Sequence, residues 1–570
     1  MFTKTVRQAH NAWSVEYFAI ATGSIMALFI IYHWANVIYL KYGPRKQSNI
    51  TRCLIQSHRA TRRYFAGSVA GVCIGRWSLY LIYWVMNLIL TLADVEFTVK
   101  YAIHCKLLFL ALRNTPLAPL SGQSYEKLRP LHKTAGYTCI ATSVLHGIIY
   151  LADVSESGTL YKFRELDYLA GGIAGLSMVI IGVSTFGWFV RRSYEAFYII
   201  HLAFFLLIII MIGLHRPIIA KQSVIIIMFT GCLWGLDRLL RFAKICWNLY
   251  GNHASINPVP DGAVRVKLNR SLKCKPGSHA FLWIPSLRLF ETHPFTLVSN
   301  EPAEFLIRPC DGFTSDLYEA AQKQPGRLLR CSLDGAYGQV PSFTDFDRVV
   351  LVAGGSGASF TFAIALDLIK KKAAAHTRRS IDFVWTVRRL ESLEWFGKEL
   401  QELRDSHRVN LHIYVTQGDI EKSMEVESLH AGEGSSSESS VHDPEKGFTS
   451  KENSAPRSTS DLRRGRPNIS SHIADCVNSC GPEERIGVGA CGPVNMLDMT
   501  RKALYRSTYD NGPSIDFHTE VSKSELKIYK VEANTLPRLG IRMVKFQEHW
   551  SWEQNWKIIK MEIYEQPERV

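Results

Sequence analysis

Long apolar runs crowd the first half of this chain, and short ones separated by polar turns fill the second. Stretches near 17–40, 170–190, 198–216 and 222–240 each approach the ~20 residues that a helix needs to cross ~30 Å of hydrocarbon. Those near 77–94, 101–120 and 132–152 are interrupted by polar residues or proline, as expected of spans that pack inside a bundle. The pattern predicts about seven membrane helices within residues 15–244. Beyond Lys244 the texture becomes soluble α/β. Ala263–Leu268 and Ala280–Ile284 read as strands of one lobe, 250–345, and Arg348–Ala353 opens a second, 346–520. Within the second lobe, 418–468 dissolves into a Ser-, Glu- and Lys-rich tract too polar to bury a core, which predicts a disordered insertion.

Charge gives these spans a direction. The formal net charge is +15, and the loop from Lys41 to Arg76 holds Lys41, Arg45, Lys46, Arg52, Arg59, Arg62, Arg63 and Arg76 with no acid, which marks it cytoplasmic. Alternation through seven spans places the N-terminus outside, Lys127–Lys133 and Arg191–Arg192 inside, the acid-bearing 153–167 loop outside, and everything after Arg241 in the cytosol. The basic excess therefore reads as membrane orientation, and no nucleic-acid partner is expected. Twelve cysteines include no CxxC pair, which argues against a zinc site or a disulfide framework. No cleavable signal peptide is evident, so the first span is expected to act as the anchor.

Four histidines stand out because a polar ring inside a membrane needs a partner. His132 and His146 are 14 residues apart, and so are His201 and His215. At ~3.6 residues per turn, each pair falls on one helix face about 21 Å apart along the axis. Two such helices facing each other offer stacked bis-imidazole sites, His132 with His201 on the cytoplasmic side and His146 with His215 on the outer side. Either site could hold a haem as a six-coordinate electron carrier. A lone membrane histidine is more often a hydrogen-bonded packing residue; the matched double pair reverses that preference.

The soluble half carries further signals. His293-Pro294-Phe295-Thr296 follows Pro276-Gly277-Ser278-His279 in a barrel-like lobe that could expose an aromatic ring and a hydroxyl to a flat cofactor. Asp311-Gly312-Phe313-Thr314 and Asp334-Gly335-Ala336-Tyr337-Gly338 are turns. Strand Arg348–Ala353, the run Gly354-Gly355-Ser356-Gly357 and the helix-like Ala358–Ile369 form a dinucleotide-binding arrangement, because small residues let a pyrophosphate reach backbone N–H groups. The next strand, Ile381–Val387, ends in Arg388-Arg389 rather than an acid, which favours NADPH over NADH. Strand Arg485–Ala490 ends in Cys491-Gly492-Pro493 at the sheet's carboxyl edge.

Taken in order, these motifs resemble those of the fungal ferric reductases, relatives of the NADPH oxidases. The resemblance covers roughly residues 15–520 and includes Arg191-Arg192, Trp385-Thr386-Val387-Arg388 and Arg464-Gly465-Arg466-Pro467. It implies a multi-helix transmembrane haem bundle followed by a cytosolic ferredoxin-reductase-like module, with a β-barrel FAD domain and an α/β NADP-binding domain. His132, His146, His201 and His215 would then ligate two b-type haems. His293, Pro294, Phe295 and Thr296, with Gly312, Phe313 and Thr314, would bind FAD. Gly354, Gly355, Gly357, Arg388, Cys491, Gly492 and Pro493 would bind NADPH. Family members usually finish soon after a segment like Ile515–Glu520, on an aromatic residue that shields the flavin. Here residues 521–570 instead form a Lys- and Glu-rich extension containing Trp550, Trp552 and Trp556.

The expected activity is electron transfer from cytosolic NADPH through FAD and haem to an external ferric chelate or siderophore, with cupric ion a second acceptor. The plasma membrane is the expected location, with the vacuole or another internal membrane as the alternative, and iron-uptake proteins are expected partners. Two other readings stay open at this level: a superoxide-generating oxidase and a catalytically silent membrane scaffold.

Overall fold

The computed structural model describes residues 120–122, 125–215, 221–289, 291–310, 312–371, 380–417, 461–481, 484–507 and 512–521. It also describes short stretches between 17 and 85, and 545–551 with 556–562. The chain forms two compact units that divide between Lys244 and Ile245, with the C-terminal segment from Gly540 grouped with the first.

The first unit is helical. Helix α1 is Tyr125–Glu156, α2 is Leu166–Ser184, α3 is Tyr194–Leu214, and α4, Lys221–Leu249, runs past the division. Three segments among the described residues are long and apolar enough to cross a membrane: Leu128–Glu156, Leu166–Ser184 and Ala196–Leu214. A shorter apolar helix, Gly23–Ala35, lies within the first expected span. The expected span at 101–120 falls, apart from Leu120, outside the described residues. Cys139, Ala174, Met178, Ile181, Ile208, Ile212 and Ile227 pack the interior, while Ile148, Leu176 and Ile199 stay exposed. Large apolar side chains exposed all along a helix are what a lipid-facing surface presents. One boundary differs from the expected 170–190. Helix α2 ends at Ser184, where the Ser184 and Thr185 hydroxyls donate back to the Ile181 and Gly182 carbonyls, side-chain bonds that compete with continued helix.

The second unit holds two sheets. Strands β1 His253–Val259, β2 Ala263–Leu268, β3 His279–Trp283, β4 His293–Asn300, β5 Ala303–Ile307, β6 Arg327–Arg330 and β7 Ser332–Tyr337 form an antiparallel sheet of order β6-β1-β2-β5-β4-β3-β7. Helix α5, Phe313–Lys323, packs its apolar face (Phe313, Leu317, Ala321) into the core of this sheet. Strands β8 Arg348–Gly354, β9 Ser380–Val387, β10 Val409–Val415, β11 Leu462–Arg464, β12 Arg485–Gly492 and β13 Ser514–Val521 form a parallel sheet of order β11-β10-β9-β8-β12-β13. The connecting helices are α6 Ala358–Lys370, α7 Gly397–Arg404, α8 Ile469–Asn478 and α9 Val494–Ser507. The order reverses between β8 and β12. At such a switch point the loops after the two strands diverge and leave a crevice at the carboxyl edge.

One expectation needs correction here. The tract read as disordered to residue 468 is ordered from Asp461. Strand β11 pairs in parallel with β10, Tyr414 opposite Arg463, and Gly465 N–H donates to the Val415 carbonyl. A short basic strand at a sheet edge carries little hydrophobic periodicity, because its backbone pairing rather than a buried face holds it. Residues 418–460 and 522–544 lie outside the described residues. Within the C-terminal extension, β14 (Lys545–Ser551) and β15 (Trp556–Glu562) pair antiparallel.

Candidate functional site

In the helical unit, His132 on α1 and His201 on α3 have ring centres 6.4 Å apart. Two imidazoles on opposite sides of one metal ion, each nitrogen ~2.0 Å from the ion and ~1.1 Å from its own ring centre, have centres about 6 Å apart. The observed spacing fits one iron held between them. Among the described residues, His201 Nδ1 is buried without a hydrogen-bond partner, an exception of the kind that calls for a bound group or a polar neighbour.

The other two histidines lead to the first turn of α2 by different contacts, His215 directly and His146 through Tyr150. His215 caps the end of α3, one residue beyond the helix rather than inside it. Its Nδ1 is 2.8 Å from the Asp167 carbonyl. A carbonyl only accepts, so Nδ1 carries the hydrogen and Nε2 carries the lone pair, the tautomer a metal ligand needs. The His146 ring stacks on Tyr150, with centres 6.3 Å apart, and Tyr150 lies 6.0 Å from Tyr168, the neighbour of Asp167.

In the antiparallel sheet, the four residues of His293-Pro294-Phe295-Thr296 alternate between two faces. Pairing puts Thr296 opposite His279 and Pro294 opposite Phe281, while Phe295 faces Ala280 and His293 faces Leu282. Directly opposed residues of an antiparallel pair share a face. Pro294 and Thr296 therefore lie with His279, Phe281 and Tyr337, an aromatic group with centres 5.7 to 6.2 Å apart. The Tyr337 hydroxyl donates to Asp334 at 2.7 Å. His293 lies on the other face, stacked on Phe313 at 4.6 Å and 3.0 Å from Glu291. Phe313 is only 1 % exposed. The Phe313 ring therefore belongs to the core under α5, where it packs on His293. The Thr314 hydroxyl accepts the Cys310 N–H at 2.9 Å. Gly312 caps α5 with φ 56.

The nucleotide motifs meet at the switch point. A Cβ on Gly357 would lie 2.6 Å from the Cys491 carbonyl oxygen, and one on Gly354 would lie 2.6 Å from Pro493 Cδ. The glycine turn after β8 and the Cys491-Gly492-Pro493 turn after β12 thus touch backbone to backbone, which only glycine permits. Trp385 Nε1–H donates to the Gly355 carbonyl at 3.1 Å, tying β9 to the same turn. Of the two arginines that follow, Arg389 reaches Asp261 at 3.4 Å, while Arg388 is exposed at the strand's carboxyl end.

Sequence reasoning missed the contacts that join the two sheets. Arg265 on β2 donates to Glu304 at 2.8 and 3.0 Å, to the Trp395 carbonyl at 3.0 Å, and to both carboxylate oxygens of Glu399 on α7. Burial opposes its charge, but the bonds to Glu399 and Glu304 outweigh that and hold its pKa above the ordinary value. Ser392 donates to Asp261, and Trp395 Nε1–H to the Pro260 carbonyl, each across the same boundary. Phe360, in the first turn of α6, fills the space beside Gly277 and stacks on His518 at 5.7 Å. Only Gly277 carried a sequence signal, within Pro276-Gly277-Ser278-His279.

Three known families match in chain order. Residues 98–212 match "Ferric reductase like transmembrane component", 250–341 match "FAD-binding domain", and 346–504 match "Ferric reductase NAD binding domain". Relatives include "Probable cell surface ferric reductase kap2" of Aspergillus oryzae, 28 % identical over 54 % of this chain and 45 % of its own. "Ferric reductase transmembrane component 6" of Saccharomyces cerevisiae is 25 % identical over 72 % of this chain and 57 % of its own. "Ferric/cupric reductase transmembrane component 2" of Schizosaccharomyces pombe is 27 % identical over 54 % and 62 %. The chain thus spans about half the length of the curated relatives it matches. Among solved structures, a ferredoxin NADP+ reductase from Neisseria gonorrhoeae aligns with 47 % of this chain and 97 % of its own at 16 % identity, with a TM-score of 0.31, a likeness too slight to argue from.

Proposed function

Because the chain belongs to the ferric reductase family, with its transmembrane, FAD-binding and NAD-binding domains in order, we propose that it carries electrons from cytosolic NADPH across a membrane to a ferric chelate. The observation that carries this reading is the 6.4 Å spacing of His132 and His201, set across two apolar helices at the separation one iron requires. When bound, FAD would supply the exchange of a hydride for single electrons, and two b-type haems would supply a one-electron path through the bilayer.

The chain's own residues bind, orient and hold. His132 with His201, and His146 with His215, would ligate the two irons. Backbone N–H groups at Gly354, Gly355 and Gly357, near the start of α6, would take the pyrophosphate, with Cys491, Gly492 and Pro493 forming the opposite wall. Arg388 would place its charge against the 2′-phosphate. Pro294 and Thr296, beside His279 and Tyr337, would support the flavin, with His293 held on the opposite face of the strand. Arg265, Asp261 and Phe360 hold the two sheets in one arrangement, as a hydride donor and acceptor that must be brought together require.

The acceptor would be a ferric chelate or siderophore, with cupric ion second, at the outer face of the plasma membrane and in company with iron-uptake proteins. Membranes containing the full chain should reduce ferric citrate when given NADPH, with superoxide dismutase present, and show a bis-imidazole haem spectrum after dithionite. Complete inhibition by dismutase would make the protein an oxidase. A spectrum without haem would overturn the electron path.

A further inference from the structure

The first turn of α2 is shaped around one side chain from another helix. Asp167 and Gly171 are four residues apart and so share a face of α2. His215, at the end of α3, lies on that face. Its Nδ1 donates to the Asp167 carbonyl at 2.8 Å. A Cβ on Gly171 would lie 2.6 Å from His215 Cε1, 2.6 Å from Nδ1 and 3.4 Å from Cγ. Contacts under 3.0 Å to a ring held at its root by the helix end and at Nδ1 by a main-chain carbonyl cannot be relieved by a small rotation. Nearby glycines of α2 differ: among the described residues, a Cβ on Gly175 would meet nothing within 4 Å, and one on Gly172 would have only Phe163 at 3.9 Å.

We propose that Gly171 and the main-chain carbonyl of Asp167 are positioning groups that aim His215 Nε2 at the outer haem iron. The inference rests on the reading of His215 as a haem ligand. Asp167 acts through its backbone, so its carboxylate is dispensable for this role. Gly171 acts by having no side chain, leaving the imidazole plane where the bond to Asp167 sets it. With the Nδ1 hydrogen fixed, Nε2 keeps the lone pair and one direction. A methyl group at 171 displaces the ring, breaks the Nδ1 bond and turns Nε2 away.

The test uses purified full-length protein and reads haem per polypeptide, flavin per polypeptide and the reductive titration of the haem absorbance. Wild type and Gly175→Ala should each bind two haems. Gly171→Ala should fall to about half that haem content, or keep two haems with one potential displaced, while flavin content and the His132/His201 haem are unchanged. Gly171→Ala with two haems and both potentials unaltered overturns the proposal alone. Wild type without haem overturns the ligand reading as well, so the two failures are distinguishable. A second pair of variants covers the case in which Gly171→Ala folds poorly. His215→Gly should lose the outer haem and regain it with added imidazole, which fits the cradle. His215→Gly combined with Gly171→Ala should not regain it, and rescue of that double variant overturns the proposal.

Discussion

Arg388 and Arg389 are adjacent in sequence but have different duties. Arg389 is held by Asp261, so its charge is already engaged by the antiparallel sheet. Arg388 remains exposed at the carboxyl end of β9, the edge where a nucleotide's adenosine end would lie. Replacing Arg388 with Ala should therefore raise the KM for NADPH by about 10- to 100-fold, the ~1.5–3 kcal/mol of a charged hydrogen bond, and leave that for NADH nearly unchanged. Replacing Arg389 should leave the ratio of the two KM values alone and loosen the Asp261 contact instead. Steady-state kinetics with both nucleotides would separate the two. An equal loss for both nucleotides in Arg388→Ala would remove the 2′-phosphate role.

Between elements, two polar networks set how strands and helices meet. Arg265 stands between β2, β5 and α7, with its partners Glu304 and Glu399 largely buried. Arg265→Ala would take the arginine from Glu399 while Glu304 keeps Lys267 at 3.5 Å, and the soluble unit should lose about 3–5 kcal/mol, the usual cost of breaking a buried pair from one side. Denaturant unfolding of the full-length protein would show it, and a loss below ~1 kcal/mol would mean that the contact is peripheral. The second network joins β10 to α8. Arg463 donates to the Tyr414 hydroxyl at 3.2 Å, and that hydroxyl lies 2.7 Å from His472 Nε2. The His412 ring lies 4.8 Å from that of His472. Burial depresses the pKa of both. His472 and Arg463 lower His412 further, against Asp382 and Asp461; Arg463 lowers His472 further, against Asp475 and Asp382. A depressed histidine contributes nothing to pH dependence above the ordinary value of 6.5, where both folded and unfolded forms are neutral. As pH falls below 6.5, the unfolded chain takes up the proton first, and stability is lost toward the folded-state pKa. Thermal melts from pH 7.5 to 5 should show this decline, and His412→Phe with His472→Phe should flatten it.

At the scale of the whole molecule, the segment between Gln417 and Asp461 leaves and rejoins neighbouring strands of one sheet: Ile413 N–H donates to the Asp461 carbonyl at 2.9 Å. Because closure entropy changes by only about 0.6 kcal/mol for each doubling of loop length, replacing 420–458 with a Gly/Ser linker of about ten residues should preserve flavin content and NADPH oxidation. Loss of flavin in that variant would assign the segment a structural role. The order of domains along the chain follows the direction that the proposed function requires of its electrons, in reverse: nucleotide sheet last, flavin sheet before it, histidine-bearing helices first.

The sequence by itself determined which stretches become helix and which become strand, because those choices rest on local periodicity. Ala263–Leu268 forms a strand over the residues expected, and Arg348–Ala353 with its glycine turn and helix lies within one residue of its expected bounds. The fourteen-residue spacing placed His132 and His146 on one helix, and composition assigned the helical half to a membrane environment. Tertiary structure decided everything that depends on residues far apart in the chain. No local pattern shows that Gly357 meets Cys491, that Gly171 makes room for His215, or that Arg265 bridges two sheets, because each contact is set by how separately formed elements pack. Phe313 and β11 illustrate the limit. A phenylalanine after a turn can face either core or cofactor, and a three-residue basic strand has no buried face to reveal it, so only the finished packing distinguishes the alternatives.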